Sequence, residues 1–138
     1  MGSIRRVELE WTGSGISFIG GGTEPPSPRI TVDGDGADGP SPMHLLLLAA
    51  GACSGIDIVM ILEKMRVTID RFTMEVVGER VDDDPRRYRS IKLIFRLSGD
   101  GLDRSKAERA AALSVEKYCS VVHSLDPGMS LEHEVEVS

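Results

Sequence analysis

Residues 41–66 read SPMHLLLLAAGACSGIDIVMILEKMR, and this stretch decides the fold. Serine is a favoured helix N-cap and proline costs nothing at the first helical position, so Ser41 and Pro42 mark a helix start. No further proline interrupts the segment, which predicts one helix from Pro42 to about Arg66. Between Leu45 and Leu62 only Asp57 carries a charge. A helix that is apolar around its whole circumference must be buried on nearly all sides.

The length of this helix favours a partner subunit. Twenty-five helical residues span roughly 37 Å, about the width of a domain of this size, so one chain would hardly cover the helix alone. The 18 residues from Leu45 to Leu62 also approach the roughly 20 apolar residues of a membrane span. The carboxylate of Asp57 in mid-segment and the lack of cationic flanks on both sides argue against a span. We therefore predict no membrane partner.

The segments around the helix alternate apolar and polar residues with the period of half-buried strands. A second helix is predicted from Asp103 or Ser105 to near Ser120, because Ser105 and Glu108 fit a capping box. Together these elements predict an α+β fold in a single domain, residues 1–138. The predicted strands are Ile4–Trp11, Ile16–Ile19, Arg29–Asp33, Val67–Val81, Arg87–Leu97 and Leu131–Val137, the first two forming a hairpin.

Charge and composition exclude several classes of function. The chain has 138 residues and a net charge of −6, with no run of basic residues longer than two, so we predict no nucleic-acid partner. Residues 1–6 show neither a signal-peptide pattern nor a myristoylation signal, which predicts a cytoplasmic protein. In that compartment two cysteines are more often reduced, buried or redox-active than joined in a structural disulfide.

The two cysteines are the candidate nucleophiles. Cys53 lies among small residues, and the two helical glycines beside it, Gly51 and Gly55, each cost roughly 1 kcal/mol against alanine, which favours close approach of another backbone or a substrate. His123 follows Cys119 by one helical turn and could accept its proton or lower its pKa. Two interpretations stay open, a redox pair and two unrelated buried cysteines.

The sequence does not predict a metal site. His44 and Cys53 are nine residues apart, so they face opposite sides of one helix and cannot share an ion within a subunit. The histidines and cysteines show no spacing of a closed zinc site. The glycine clusters at 13–15 and 20–22 lack the context of a phosphate-binding loop and are predicted to be turns.

Two stretches carry a resemblance to a known family. Residues 39–53 contain Gly39-Pro40-Ser41-Pro42-Met43, then Leu45-Leu46-Leu47 and Gly51-Ala52-Cys53, and residues 113–121 read LSVEKYCSV. With the order of elements, they resemble the OsmC/Ohr family of osmotically inducible and organic hydroperoxide resistance proteins, and a less-characterised OsmC-like branch in particular. The resemblance implies antiparallel sheets wrapped around two central helices in an intertwined homodimer, with the cysteines at the subunit interface.

The resemblance also implies a chemistry. Cys53 would attack a hydroperoxide and Cys119 would resolve the product as a disulfide, which an external dithiol reductant restores without any other cofactor. Two supporting residues of the Ohr branch are replaced: Met43 stands at its glutamate position and Gly13-Ser14-Gly15 at its arginine position. Arg29, His44 and His123 are the candidate supporting residues. The alternative is a redox sensor, a ligand-binding protein or an enzyme for another electrophile.

Overall fold

The long apolar helix forms as the sequence predicts. A computed structural model describes residues 2–25 and 27–138 and places helix α1 at Pro42–Lys64. The Ser41 hydroxyl caps it by accepting a hydrogen bond of 3.2 Å from the backbone N–H of His44. The helix ends two residues before the predicted Arg66, which has a positive φ of 62°. A hydrogen bond of 3.0 Å from Val67 N to Leu62 O closes this end.

The chain forms two compact units, one up to Leu46 and one from Leu47 to Ser138. The prediction of a single domain stays a prediction. The first unit holds three short strands, β1 (Val7–Trp11), β2 (Ser17–Gly22) and β3 (Ile30–Asp33), paired antiparallel in the order β1-β2-β3. The predicted hairpin of the first two strands is thereby confirmed.

Asp33 organises the loop that follows β3. Its carboxylate accepts backbone hydrogen bonds from Asp35, Ala37 and Asp38 at 2.9–3.2 Å. These N–H groups, the one of Asp38 foremost, hold the pKa of the Asp33 carboxyl below its usual value. The loop leads into the cap of α1, so this carboxylate fixes the backbone just ahead of the helix.

Many apolar side chains of the first sheet lie open in the single chain. Val7, Leu9 and Trp11 on β1 keep more than half of their surface exposed, and Phe18, Ile19 and Ile30 keep more than 40%. Isolated apolar residues on a surface are ordinary, but a contiguous patch marks an interaction site.

The second unit is built on a larger sheet. Strands β4 (Thr68–Arg80) and β5 (Tyr88–Asp100) pair antiparallel, and β6 (Ser130–Val137) lies on the other side of β5. An antiparallel sheet was predicted, but β6 runs parallel to β5. A parallel neighbour requires a crossover connection, and the helical segment between β5 and β6 provides it.

The crossover segment is not the single helix to near Ser120 that the sequence predicted. Helix α2 (Arg104–Leu113) is followed by a π-turn (Ser114–Tyr118) and a short helix α3 (Ser120–His123). Asp103, and not Ser105, is the N-cap of α2, accepting a 2.8 Å hydrogen bond from Lys106 N. The π-turn closes with a bond of 2.8 Å from Cys119 N to Ser114 O.

Helix α1 and this crossover supply the core around the larger sheet. The glycines of α1 let it lie close to β4, since a Cβ at Gly51 would stand 2.9 Å from Val76 Cγ2 and one at Gly55 2.7 Å from Met74 Cε. A close approach was predicted at these glycines, and the groups that lie close to them are side chains of β4. The core includes Ile58 and Leu62 of α1, Ile91, Leu93 and Phe95 of β5, and Ala107, Ala110 and Ala111 of α2.

One helix, α1, is long and apolar enough to cross a membrane by length and composition, among the helices of the described residues. A third of its most apolar stretch is buried inside the chain. Leu48, Ile56 and Met60 on this helix keep more than half of their surface exposed. A helix predicted to be buried on nearly all sides is therefore covered only in part by its own chain.

Candidate functional site

Two cysteines and a carboxylate meet where α1 passes the crossover. The Sγ atoms of Cys53 and Cys119 and a carboxylate oxygen of Asp57 all lie within 4.8 Å of one another. Both thiols are free. The two cysteines are 66 positions apart in the sequence, so the fold brings together the two residues predicted to carry the chemistry.

Helix geometry explains the α1 half of this cluster. Cys53 and Asp57 are four residues apart and share one helix face. Ser54, next to Cys53, is fully buried and donates its hydroxyl to Cys119 Sγ at 3.5 Å. Cys53, Ser54 and Asp57, which lie within five residues of a mostly apolar helix, therefore face the crossover segment.

The π-turn positions the other half. It adds one residue to the turn before Cys119, and both Ser114 and Cys119 are fully buried. The Ser114 hydroxyl donates to Asp57 Oδ2 at 2.8 Å and also lies 3.4 Å from the backbone oxygen of Ser54. π-turns are rare and occur frequently at functional sites.

Burial keeps the Cys119 thiol protonated. Loss of solvation raises the pKa of Cys119, and the neighbouring Cys53 raises it further. Hydrogen bonds from Ser54 Oγ at 3.5 Å and from Val122 N at 3.4 Å oppose this effect by stabilising the thiolate. Burial is the larger effect, so Cys119 rests as a thiol near neutral pH.

Cys53 is the more accessible of the two sulfur-bearing residues. It is half-buried, whereas Cys119 has no exposed surface. A molecule from solvent therefore meets Cys53 first. This order agrees with the attacking role that the resemblance implies for Cys53 and the resolving role that it implies for Cys119.

Arg29, His44 and His123 were predicted to support the two cysteines. Arg29 is exposed just before β3. His44 lies in the first turn of α1, where its Nδ1 is 2.9 Å from the capping hydroxyl of Ser41. His123 is exposed, and its contact with Cys119 is a backbone hydrogen bond of 3.1 Å to the carbonyl oxygen, while the sulfur atom is bonded elsewhere. Their supporting roles stay predictions.

Ser54, Asp57 and Ser114 belong to the site although the sequence did not assign them to it. Asp57 could have been found from its i+4 spacing to Cys53, but its charge was used only as an argument against a membrane span. Ser114 carried no signal, since a regular helix does not predict the extra residue of the π-turn.

Two thiols and a carboxylate are also donors that zinc accepts. The prediction of no metal stays a prediction.

An apolar groove runs along α1 and includes Ala52, the neighbour of Cys53 in the sequence. It has a volume of about 400 Å³ and is lined by residues of α1 and β4. Ala52, directly before Cys53, and Gly55 contribute to its wall. The other lining residues are Ile56, Val59, Met60, Phe72 and Met74.

Sequence comparison decides the family. The sequence model of the OsmC-like proteins matches residues 34–134, which contain α1, both cysteines and the crossover. The chain belongs to the OsmC family. The predicted family and the predicted mixed fold are thereby confirmed. Both cysteines therefore lie within the part of the chain that matches the OsmC-like family.

Relatives of this OsmC-family chain span its whole length. Protein YhfA of Escherichia coli K12 is 36% identical over 133 residues, covering 96% of this chain and 97% of YhfA. A crystal structure from Aquifex aeolicus VF5 is similar with 31% identity and a TM-score of 0.84, covering 99% and 98% of the two chains. The organic hydroperoxide resistance protein OhrB of Bacillus subtilis shares the fold, with a TM-score of 0.62, 16% identity, and coverage of 97% and 98%.

Proposed function

We propose that this OsmC-family chain is a thiol-dependent peroxidase that reduces organic or small hydroperoxides with Cys53 and Cys119, in defence against oxidative stress. The observation that carries the proposal is the meeting of two free sulfur atoms within 4.8 Å, one half-buried and one buried. A thiol that solvent molecules reach, with a second thiol behind it, is the arrangement that peroxide reduction followed by disulfide formation requires.

The reaction balances with these two residues and one reductant. Cys53 Sγ attacks one oxygen of the hydroperoxide, an S–O bond forms, the O–O bond breaks, and the alcohol leaves with a proton. Cys119 Sγ then attacks Cys53 Sγ, an S–S bond forms, and the S–O bond breaks to release water. An external dithiol returns two electrons and two protons to the disulfide, so no other cofactor is needed.

The surroundings of Cys53 suit an organic substrate. The groove along α1 is walled by aliphatic, methionine and phenylalanine side chains and reaches the residue next to Cys53. An alkyl or aryl hydroperoxide would bury its apolar group there and leave its O–O bond near the sulfur atom. OhrB, which shares the fold, is named for resistance to organic hydroperoxides.

The proposal includes a homodimer in the cytoplasm. Leu48, Ile56 and Met60 on α1 are more than half exposed in the single chain, as are Val7, Leu9 and Trp11 on β1. A second copy that covers these residues would remove a large apolar surface from water, and because Ile56 and Met60 also line the groove, it would form the outer wall of the substrate site. The net charge of −6 favours neither nucleic acid nor an anionic membrane surface as a further partner.

A second function is favoured by two particular positions. Met43 and the turn Gly13-Ser14-Gly15 replace the glutamate and arginine that the Ohr branch uses beside its thiolate. Without them the same pair of cysteines would oxidise slowly, which suits a redox sensor or a ligand-binding protein more than an efficient enzyme.

Turnover separates the two functions. The reduced protein is incubated with cumene hydroperoxide and a dithiol, and peroxide loss is followed for wild type, Cys53→Ser, Cys119→Ser and the double variant. We expect catalytic turnover from wild type, none from Cys53→Ser, and slower turnover from Cys119→Ser, in which only the external dithiol can reduce the sulfenic acid of Cys53. A wild type no faster than the double variant would refute the peroxidase.

Intact mass gives a second measurement on the same samples. After one equivalent of peroxide the wild type should lose about 2 Da, the two hydrogens removed when the disulfide forms. Disulfide formation without catalytic turnover is the result expected of a sensor. An unchanged mass would refute both the peroxidase and the redox sensor.

A further inference from the structure

The two sulfur atoms and the Asp57 carboxylate have the ligand types and the spacing of a metal site. Zinc binds cysteine sulfur at about 2.3 Å and carboxylate oxygen at about 2.0–2.2 Å in tetrahedral geometry, so two of its ligand atoms are about 3.6–3.8 Å apart. The Sγ atoms of Cys53 and Cys119 and an oxygen of Asp57 all lie within 4.8 Å of one another. These separations exceed the tetrahedral ones by about 1.2 Å at most.

Two of the three ligands are already oriented by hydrogen bonds. Ser114, fully buried, donates its hydroxyl to Asp57 Oδ2 at 2.8 Å. A carboxylate has two oxygens, so one can accept this bond while the other binds an ion. The sulfur atom of Cys119 accepts from Ser54 Oγ at 3.5 Å and from Val122 N at 3.4 Å. Such partners hold metal ligands in position and contribute strongly to metal affinity.

The charges and the ligand types favour zinc among the cations. Two thiolates and a carboxylate carry three negative charges, and the hydrogen bonds to Asp57 Oδ2 and Cys119 Sγ come from uncharged donors. A divalent cation would offset these charges. Sulfur ligands alone suit Cu(I) and oxygen ligands alone suit Mg²⁺ or Ca²⁺, whereas zinc accepts both kinds in one site.

The cluster also provides an entry side and an open ligand position. Cys53 and Asp57 are half-buried, while Cys119 is fully buried, so an ion from solvent would reach the first two ligands and then the third. Three protein ligands leave the fourth tetrahedral position for water. A structural zinc site is closed by four protein ligands, so this arrangement is typical of an ion that can exchange.

We propose that the reduced chain binds one zinc ion through Cys53 Sγ, Cys119 Sγ and a carboxylate oxygen of Asp57, with water as the fourth ligand. Two Zn–S bonds and one Zn–O bond form, both thiol protons leave to solvent, and nothing is oxidised. This site goes beyond the proposed peroxidase, which uses no metal. One consequence rests on that function: because the ion occupies both reacting sulfur atoms, zinc protects the reduced pair and disulfide formation releases the ion.

Zinc binding to the reduced protein tests the site without any peroxide. The protein is reduced with a phosphine, freed of metal, and titrated with zinc under nitrogen in competition with a chromophoric chelator. We expect one ion per chain for wild type and loss of the site in Cys53→Ser and in Cys119→Ser. Asp70→Asn, which removes an exposed carboxylate from β4, is the matched control and should bind zinc as wild type does.

Two further variants test whether the carboxylate is a ligand. Ser114→Ala removes only the hydrogen bond that orients Asp57 and should weaken zinc binding by about 10-fold, the effect usual for a partner of a metal ligand. Asp57→Asn replaces the charged ligand by a neutral amide and should weaken binding more than Ser114→Ala does. Cobalt(II) in place of zinc should show thiolate charge-transfer absorption in wild type and lose intensity in each cysteine variant.

Three results would overturn the site. The first is zinc binding by wild type no tighter than that of the double variant Cys53→Ser/Cys119→Ser. The second is half an ion per chain, which would place the ion between two copies. The third is equal affinity in wild type and Asp57→Asn. If Asp57→Asn does not fold, Ser114→Ala carries this test, and an unchanged affinity in that variant counts against the carboxylate as a ligand.

Intact mass measures the protection of the pair. With zinc bound, wild type should keep its mass after one equivalent of peroxide, and a sample given a chelator first should lose about 2 Da. Equal oxidation of the two samples would overturn the protection.

The proposed function and the zinc site fail separately. A protein that binds zinc and consumes no hydroperoxide refutes the peroxidase alone, and protection is then read from alkylation of Cys53 by iodoacetamide with and without zinc. Equal alkylation in the two samples would overturn the protection. A working peroxidase that binds no zinc refutes the site alone.

Discussion

Cys119 combines complete burial with two hydrogen bonds to its sulfur atom. Burial disfavours the thiolate, while Ser54 Oγ and Val122 N stabilise it, and the pKa of Cys119 is raised because burial is the larger effect. In the proposed peroxidase, this raised pKa would keep Cys119 from competing with Cys53 for peroxide, since the thiolate is the reactive form. Protection of this residue therefore favours a fixed order of attack.

Alkylation of Cys119 should show this protection. In Cys53→Ser, the rate with iodoacetamide should rise with pH through a midpoint above about 8.5, the ordinary thiol value. Ser54→Ala should move the midpoint higher, because it removes a hydrogen bond that stabilises the thiolate. Ser120→Ala, at an exposed position beside Cys119, serves as the control. A midpoint at or below the ordinary value would contradict the assignment.

Helix α1 meets strand β4 through two glycines that are not equivalent. A Cβ at Gly51 would stand 2.9 Å from Cγ2 of Val76, a branched and stiff side chain, and 3.1 Å from Met74 Sδ. A Cβ at Gly55 would stand 2.7 Å from Cε of Met74, the end of a flexible side chain that can move away. The position of Cys53 between them depends on this packing.

Alanine at the two positions should therefore have different effects. Each substitution gains about 1 kcal/mol of helix propensity, while an added methyl group in a packed core costs roughly 1–3 kcal/mol. We expect Gly51→Ala to lower the free energy of unfolding by about 1–2 kcal/mol and Gly55→Ala to stay within about 1 kcal/mol of wild type. Urea unfolding at one fixed protein concentration measures both. A larger loss at Gly55 than at Gly51 would contradict this account.

Local signals predicted some elements and long-range packing decided the others. The start of α1 followed from Ser41 and Pro42, because capping involves residues only a few positions apart. The parallel pairing of β6 with β5 did not, since it depends on where the crossover returns the chain. The contact of Ser114 with Asp57 joins residues 57 positions apart and depends on a π-turn. The two cysteines were found, and the residues that hold them were not.

In the whole molecule, a single chain does not explain why apolar residues of α1 are exposed. The sequence predicted burial on nearly all sides, and the single chain leaves Leu48, Ile56 and Met60 more than half exposed. A membrane would also cover them, but it would leave the carboxylate of Asp57 at mid-helix in hydrocarbon. A second copy would cover the apolar side chains at no such cost.

A charged residue on the exposed apolar face of α1 should separate the two subunits of the proposed dimer. We expect wild type to sediment at twice the 15.0 kDa of one chain. Ile56→Lys, at a side chain 60% exposed in the single chain, should shift the protein toward monomer, because dimerisation would bury an unpaired charge. Thr73→Lys, at an exposed polar position on β4, should leave the dimer intact. Sedimentation velocity over a range of concentrations measures all three, and a wild type that is monomeric throughout would show that α1 has no second copy to cover it.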